Sequence, residues 1–268
     1  MNGRLLILIA HYNNPKGLED SLRSIDEKFE VDVLIVDDGS EKTYDENHLQ
    51  AVYTNGRLYF DALPMNMGVG AAANRALELA AEMDYKFLGR LDCGDMNYPG
   101  KYKRQLEYLA ENPEVKLLGT WARVIDHEGN FLHMLEHPPK HEEIKKKMYL
   151  NSMFLNPSVV FYADILPVVG NYPYKYRRAA QDYAFFFKVI RKFKAENLPE
   201  VLMDYVVDPE SISTTKRRLQ VKNRIRIVVD NFYFGIYPLA GLIRGAFLLL
   251  FPRWVTTKAK KILQKKTT

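Results

Sequence analysis

The chain has 268 residues, 47% of them hydrophobic, and a formal net charge of +5, enough to bury a real core as one domain with an appendage. Its single cysteine, Cys93, excludes an intramolecular disulfide framework and fits a reducing, cytosolic compartment. The charge is uneven: residues 216–268 hold 13 Lys and Arg against one acid, Asp230, leaving 25 basic and 32 acidic residues in 1–215. A mildly acidic body with a basic end is drawn to nucleic acid or to an anionic membrane surface.

In chain order, the apolar run Leu5–Ala10 is too short for a signal-peptide core and reads as a buried first strand. Leu18, Leu22, Ile25 and Phe29 recur at helical spacing and predict a helix over 17–29. Val31–Val36 and Tyr85–Leu91 read as two further buried strands, and 58–63 as another. The alanine-rich segment 70–83 reads as a helix, as does 99–112, with Pro99 near its first turn and Pro113 beyond its end. This alternation is that of a parallel sheet with crossover helices. After Val115 the pattern becomes a mixed sheet: strands over 115–125 and 131–135 around the turn 126–130, another over 157–162, and a helix over 180–193.

In open α/β sheets ligands bind beyond the carboxyl ends of the strands, so the residues after each apolar run are the candidates for chemistry. They are polar. His11-Tyr12-Asn13 follows the first run, Asp37-Asp38-Gly39-Ser40 the second, and Asp92-Cys93-Gly94-Asp95 the run through Leu91. Asp, Gly and Ser also form turns and helix caps, so no one of these segments decides anything alone. Two carboxylates on a strand end do suit a hard divalent cation that keeps positions open for substrate oxygens. The glycine loop 66–70, running into an alanine-rich helix, allows close approach of the backbone to a ligand. It lacks the Gly-Lys-Ser/Thr ending of a phosphate loop and the spacing of a dinucleotide fingerprint. His133, His137 and His141 are evenly spaced, but Pro138-Pro139 breaks any helix there. Cys93 has no histidine nearby in sequence and reads as a packing residue.

Taken in order, His11-Tyr12-Asn13, Val36-Asp37-Asp38-Gly39-Ser40, Asn66 to Asn74, Leu91-Asp92-Cys93-Gly94-Asp95, Asn156-Pro157-Ser158 and Gly170-Asn171-Tyr172 followed by Gln181-Asp182-Tyr183 resemble a family 2 glycosyltransferase. The resemblance covers roughly residues 4–215. It implies a GT-A fold: an α/β architecture with a Rossmann-like nucleotide-binding half and a mixed central sheet. It also implies roles. Asp38 pairs with the base of a nucleotide-sugar and Tyr12 lies against it, with Gly68, Asn74 and Asp92 in the same donor site. Asp92 and Asp95 hold Mg²⁺ or Mn²⁺, Asp95 the more direct ligand, and Asp182 is the catalytic base of an inverting transfer. Arg90 or the basic cluster 216–218 is placed to meet the diphosphate. Two positions depart from the pattern: Gly94 stands where members commonly carry a third acid, and Gln181 where many carry Glu.

The end of the chain, 232–251, is apolar but interrupted by Pro238, Arg244 and three glycines, with Lys258, Lys260, Lys261, Lys265 and Lys266 beyond. A central Arg is costly in hydrocarbon, so the segment reads as helices lying in the membrane interface rather than a span, and Leu248-Leu249-Leu250 argues against a nucleic-acid surface. A helical pair packing on the body is the plainer alternative. The expectation is a GT-A domain over 1–215 with a helical, membrane-associating extension over 216–268, peripheral on the cytoplasmic face of the cell membrane. It would move one sugar from a UDP- or dTDP-sugar to a hydroxyl of a glycan acceptor, lipid-linked, in cell-surface polysaccharide or lipopolysaccharide assembly. No Gln-x-x-Arg-Trp motif of processive polymerases occurs. The rivals are a nucleotidyltransferase, whose glycine-rich amino-terminal loop is missing, and an inactive GT-A module serving as a membrane scaffold.

Overall fold

The computed structural model describes residues 4–176, 178–207 and 216–251. Strand β1 (Leu5–His11) is the middle of the amino-terminal half, and Leu5 to Ile9 are each at most 2% exposed. Full burial of one such side chain contributes about 1.5–3 kcal/mol. β2 (Asp32–Asp37) and β4 (Phe87–Arg90) pair parallel with β1 on either side, and β3 (Leu58–Ala62) pairs parallel with β2. Strands with both faces covered tolerate continuous apolar sequence, which is why these runs do not alternate. The crossovers are α1 (Pro15–Arg23), α2 (Glu46–Val52) and α3 (Val69–Ala81).

The second half adds β5 (Met96–Asn97), α4 (Lys101–Glu111), β6 (Val115–Asp126), β7 (Phe131–Leu135), α5 (His141–Lys147), β8 (Val160–Tyr162), α6 (Leu166–Val169), α7 (Gln181–Ile190) and β9 (Lys194–Val207). One nine-stranded sheet runs β3-β2-β1-β4-β8-β6-β9-β5, with β7 paired to β6. It is parallel through β4; β8 is antiparallel to both β4 and β6, and β9 returns parallel to β6. The parallel order switches direction between β1 and β4, so their carboxyl ends flank the crevice where such folds bind ligands.

The elements differ from expectation in definite ways. α1 begins earlier, because Asn14 Oδ1 accepts the Gly17 N–H at 3.0 Å and Pro15 opens the helix. It ends at Arg23 rather than Phe29, since the Ser24 hydroxyl donates to the Ser21 carbonyl and accepts the Asn97 N–H, competing with further helical bonds. Segment 157–162 divides into a 3₁₀ turn, Asn156–Ser158, and the short β8. α2, α5 and the 14-residue β9 are further elements.

The carboxyl-terminal segment forms two helices, α8 (Arg217–Asp230) and α9 (Ile236–Leu250), docked on the body. Asn223 donates to the Tyr176 and Ala179 carbonyls, Tyr149 Oη to the Asn231 carbonyl and Arg244 to the Leu150 carbonyl. Among the described residues no helix is long and apolar enough to cross a membrane. The 215/216 boundary and the lysine-rich end after Phe251 lie outside the described residues.

Candidate active site

At the end of β1, His11 is fully buried and its Nδ1 donates to Asp37 Oδ1 at 2.6 Å, while Nε2 accepts the Asn14 N–H at 3.2 Å. Asp37 also accepts the Ser40 hydroxyl and Ser40 N–H, at 2.6 and 2.8 Å. Ser40 approaches the same ring nitrogen that Asp37 uses, so this group is a structural knot and not a nucleophilic triad, which needs the hydroxyl on the opposite nitrogen. Asn13, with φ 51°, accepts the Glu41 and Lys42 N–H groups and ties that loop to β1. Between them Tyr12 stands 48% exposed, a free ring on the crevice wall.

Asp38, 3% exposed, points into the glycine loop and accepts the Met67 N–H at 2.8 Å and the Gly68 N–H at 2.9 Å. Burial raises its pKa. Both of its oxygens are engaged by the loop, so Asp38 reaches a ligand only alongside movement of 66–68. Gly68 has φ 96° and opens α3 without a side-chain cap, leaving that helix N-terminus facing the crevice. Asn74 turns inward: its amide donates to the Tyr172 carbonyl and accepts the Tyr172 N–H, which makes it a brace between α3 and the segment before α7. The first turns of α3 and α7 touch. A Cβ on Gly70 would lie 1.9 Å from Gln181 Oε1, so glycine at 70 is required by Gln181.

Beyond β4, the Asp95 N–H closes a turn on the Asp92 carbonyl at 3.1 Å, with Gly94 third in it at φ 103°. A Cβ at Gly94 would meet only Asn14 Nδ2, at 3.6 Å, so the glycine answers the backbone angle and not crowding. Asp95 is 3% exposed; Oδ1 accepts the Val206 N–H of β9 at 2.8 Å, and Oδ2 is buried without a partner. The Asp92 side chain is 38% accessible at the floor of the concavity, 3.6 Å from Arg90 Nη2 and 3.3 Å from the Asn156 amide. Burial raises the pKa of both acids, and each feels a neighbouring acid, Asp182 for Asp92 and Asp92 for Asp95. Protein surrounds the Asp92 carboxylate on most sides although water reaches part of it, so a raised pKa and partial accessibility coexist. An orphaned buried oxygen beside an accessible carboxylate fits a cation held by two protein ligands and completed by phosphate oxygens and water. Asp92 is the more open of the two, and Asp95 would add Oδ2 from below. Among the described residues no group of three or more His, Cys, Asp or Glu is placed to hold a metal, and His133, His137 and His141 do not gather into one. The Cys93 thiol is pushed up to about 12 by burial, and its Sγ donates to the Asn14 carbonyl, in keeping with a packing role.

Asp182 occupies the first turn of α7, reached through two non-glycine residues of positive φ, Arg178 at 72° and Ala180 at 63°. Such strained backbone collects at functional sites. Burial raises its pKa, against the backbone N–H groups of Tyr183 and Asp182 and the charges of Arg224 and Arg90. Arg90 thus acts electrostatically on both Asp92 and Asp182. It is 1% exposed, its Nε and Nη1 have no partner, and it faces the Tyr172 ring at 6.0 Å. Tyr172 donates to Asn156, whose amide meets Asp92, so one hydrogen-bonded chain runs from Asn74 to the acids.

Three further participants carry no motif that sequence reasoning could weigh, and a fourth lies in a motif that does not reveal its contacts. Tyr205 on β9 has its pKa raised by burial and then by Asp95, Asp92 and Asp182, which places it before all three acids. Lys101 is fully buried behind them; it donates to Asn97 Oδ1 and the Pro157 carbonyl, and burial lowers its pKa to about 7. Tyr172 was visible within a motif, though not its contacts. Arg224, on α8, acts on Asp182 from the segment read as an appendage. A concavity of about 330 Å³, lined by Gln50, Tyr53, Gly56, Arg57, Leu58 and Tyr59, lies at the amino end of β3.

A model of the family described as glycosyl transferase family 2 matches residues 6–166. An uncharacterised glycosyltransferase of Methanocaldococcus jannaschii is 27% identical over 97% of this chain and 94% of its own. The UDP-Gal:alpha-D-GlcNAc-diphosphoundecaprenol beta-1,3-galactosyltransferase of Escherichia coli is 26% identical, again over 97% and 94%. Among solved structures, a mannosyltransferase from Pyrobaculum calidifontis in complex with GDP-Man and Mn²⁺ superposes with a TM-score of 0.64 at 15% identity, covering 100% of this chain and 76% of that one. At that identity the likeness is one of fold.

Proposed function

The chain belongs to glycosyl transferase family 2, and from that premise we propose that it transfers a single sugar from a nucleotide-sugar donor to a hydroxyl of a lipid-linked glycan acceptor, with inversion. The reading rests on one observation above the others: Asp92 and Asp95 from one turn and Asp182 from a distant stretch of sequence are gathered around Arg90, whose charge acts on Asp92 and Asp182 and whose Nε and Nη1 are buried without a partner.

A divalent cation, Mg²⁺ or Mn²⁺, held by Asp92 and Asp95 would neutralise the diphosphate as it leaves. Arg90 supplies N–H donors to the same phosphates, and the open amino end of α3 adds its dipole. Tyr12 offers a face for the base, and the loop held by Asp38 and Gly68 shapes the nucleoside pocket. Asp182 accepts the proton of the acceptor hydroxyl; the acceptor oxygen bonds to the anomeric carbon, and the bond to the phosphate oxygen breaks with its electron pair on the nucleoside diphosphate. A carboxylate raised by burial is a stronger base than a solvated one, so the environment provides elevation that the neutral Gln181 does not. The relative that acts on a GlcNAc-diphosphoundecaprenol supports a lipid-linked acceptor and a UDP-sugar donor in cell-surface glycan assembly.

The outer face of α9 supports a peripheral membrane position. Ile236, Leu239, Ile243, Phe247 and Leu250, three or four residues apart, are 83, 50, 70, 40 and 79% exposed, while Pro238, Gly241 and Gly245 face inward. Arg218, Lys222 and Arg226 are exposed on α8. An apolar stripe with basic neighbours suits the anionic interface of a cytoplasmic leaflet.

The rival reading of an inactive scaffold leaned on Gly94, and the positive φ of that residue gives it a conformational reason instead. A panel of UDP-, dTDP- and GDP-sugars with Mn²⁺, read by nucleotide release, decides the matter. Slow hydrolysis of one donor, lost in Asp95→Ala, is the expected result; a protein that binds none of them is not a glycosyltransferase.

A further inference from the structure

α9 seats unusually close to its neighbours. A Cβ on Gly241 would lie 2.1 Å from the Tyr149 carbonyl oxygen and one on Gly245 would lie 2.5 Å from Ile225 Cγ1, so both glycines are required by the approach. The approach delivers Arg244 to the body, where its Nη1 donates to the Leu150 carbonyl at 2.8 Å. There it joins Arg224 in lining a small cavity with Leu150, Tyr183, Val228 and Leu248. The Nε of Arg224 is buried and has no hydrogen-bond partner. Neither arginine is ion-paired with a carboxylate among the described residues, and the Tyr183 hydroxyl already donates to the Met148 carbonyl. Burial lowers the pKa of both, and each Arg244 proton is further disfavoured by the charge of Arg224. Two guanidinium groups with no ion-paired carboxylate, Arg224 feeling the charge of Asp182 and holding a buried free donor, are complementary to a phosphate.

We propose that Arg224 and Arg244 form a binding site for the diphosphate that joins the acceptor sugar to its lipid chain. This rests on the glycosyltransferase reading above and names the part of the acceptor that the carboxyl-terminal helices recognise. The cavity, about 20 Å³, takes one phosphate oxygen beside Arg224, and the exposed Arg244 at its rim meets the next phosphate. Arg224 acts electrostatically on Asp182, so a sugar carried on that phosphate presents a ring hydroxyl to the base. Val228 and Leu248 give the first carbons of the lipid an apolar wall, and α9 carries the apolar face along which the chain continues.

The test is calorimetric titration of the full chain with decyl diphosphate, in the presence of Mn²⁺ and a saturating amount of whichever nucleoside diphosphate the donor panel selects, so that the donor side is filled. Decyl diphosphate is expected to bind at least tenfold more tightly than inorganic pyrophosphate. Arg224→Gln and Arg244→Gln should each weaken it tenfold or more, and Arg244→Lys should retain most of the affinity. The melting temperature of both Gln variants should stay close to that of the wild type, because relief of the repulsion between the two arginines offsets the lost attraction of Arg224 to Asp182 or the lost hydrogen bond of Arg244 to the Leu150 carbonyl. Binding that neither Gln variant weakens, a lowered melting temperature in both, or equal competition by dihexanoylphosphatidylglycerol, which would assign the pocket to a lipid headgroup, overturns the proposal. Those outcomes leave the glycosyltransferase reading intact if a donor nucleotide binds; a chain that binds no donor nucleotide loses both.

Discussion

Gly70→Ala probes the contact that brings the amino ends of α3 and α7 together. The added methyl would sit 1.9 Å from Gln181 Oε1 and 2.4 Å from its Cδ, and Gln181 is 7% exposed, so the amide cannot swing into water without opening the junction. Overpacking of this kind costs about 1–3 kcal/mol, while alanine in place of glycine within a helix returns about 1 kcal/mol. The single variant should therefore be destabilised by roughly 0–2 kcal/mol, a shift too small to decide anything alone. The cycle with Gln181→Ala decides. Shortening Gln181 removes the obstruction, so the double variant should recover the whole overpacking cost as a coupling of about 1–3 kcal/mol, well beyond the scatter of independent sites. For a chain of this size each 1 kcal/mol moves the melting temperature about 2–4 °C, so thermal or urea melts of the four proteins resolve it. Additive effects, or a Gly70→Ala protein more stable than wild type by the full helix-propensity gain, would show that the helices do not meet as described.

Asp182→Asn should abolish transfer while donor affinity, measured by calorimetry, stays within a fewfold of wild type; normal turnover would refute its role as base. Because burial raises the pKa of Asp182 and the base must be ionised, kcat/KM should fall on acidification with a limb above the ordinary carboxylate value of 3.8, and a limb at or below that value contradicts the burial argument. Asp95 has a folded pKa raised well above its unfolded value, so its protonated form favours folding at low pH and that contribution is lost as pH rises through the folded value. Without a divalent cation Asp95→Asn should consequently melt higher than wild type at neutral pH, with the gain vanishing below about 3.8, and Mn²⁺ should raise the melting temperature of wild type only; a variant that melts lower at neutral pH refutes the reading of an uncompensated buried acid. Ile236→Glu with Ile243→Glu, at positions 83 and 70% exposed, should sharply reduce flotation with phosphatidylglycerol vesicles at unchanged stability, and undiminished flotation removes α9 from the interface.

The ends of the parallel strands were legible because buried strands are unbroken apolar runs and the polar residues after them are where such folds place ligands. His11, Asp38 and Asp92 to Asp95 all fall there. β9 was not legible, although it covers Asp95 and carries Tyr205. Its sequence contains Pro199 and buries Glu196, Asn197 and Asp204, which obscure any alternation. Each of these finds partners remote in sequence: Glu196 in Lys140 and Tyr108, the Asn197 amide N–H groups in the Pro138 and Met153 carbonyls, and Asp204 in Arg123 Nε and Nη2. No local pattern announces such partners. Asn74 illustrates the opposite error, since its place in a motif suggested a ligand contact and its geometry makes it a brace. The tail was read as basic and apolar on average, and only the packing of Gly241 and Gly245 brings Arg224 and Arg244 to one cavity and so distinguishes them from the other basic residues around them.

The charges of the crevice are complementary to two ligands together rather than to either alone. Burial penalises the charged forms of Asp92 and Asp95, a cost that a bound cation would relieve. Arg90 is fixed, buried and short of partners for two of its donors, a state that a phosphate relieves and a second cation would worsen. A cation on the acids and a diphosphate between cation and Arg90 therefore stabilise one another, and each should bind more weakly alone. The ionised form of Asp182 is favoured by Arg224 and by Arg90. Under the proposed function the two arginines would thus separate the roles of chemically identical acids, Asp92 and Asp95 toward the cation and donor and Asp182 toward the acceptor proton.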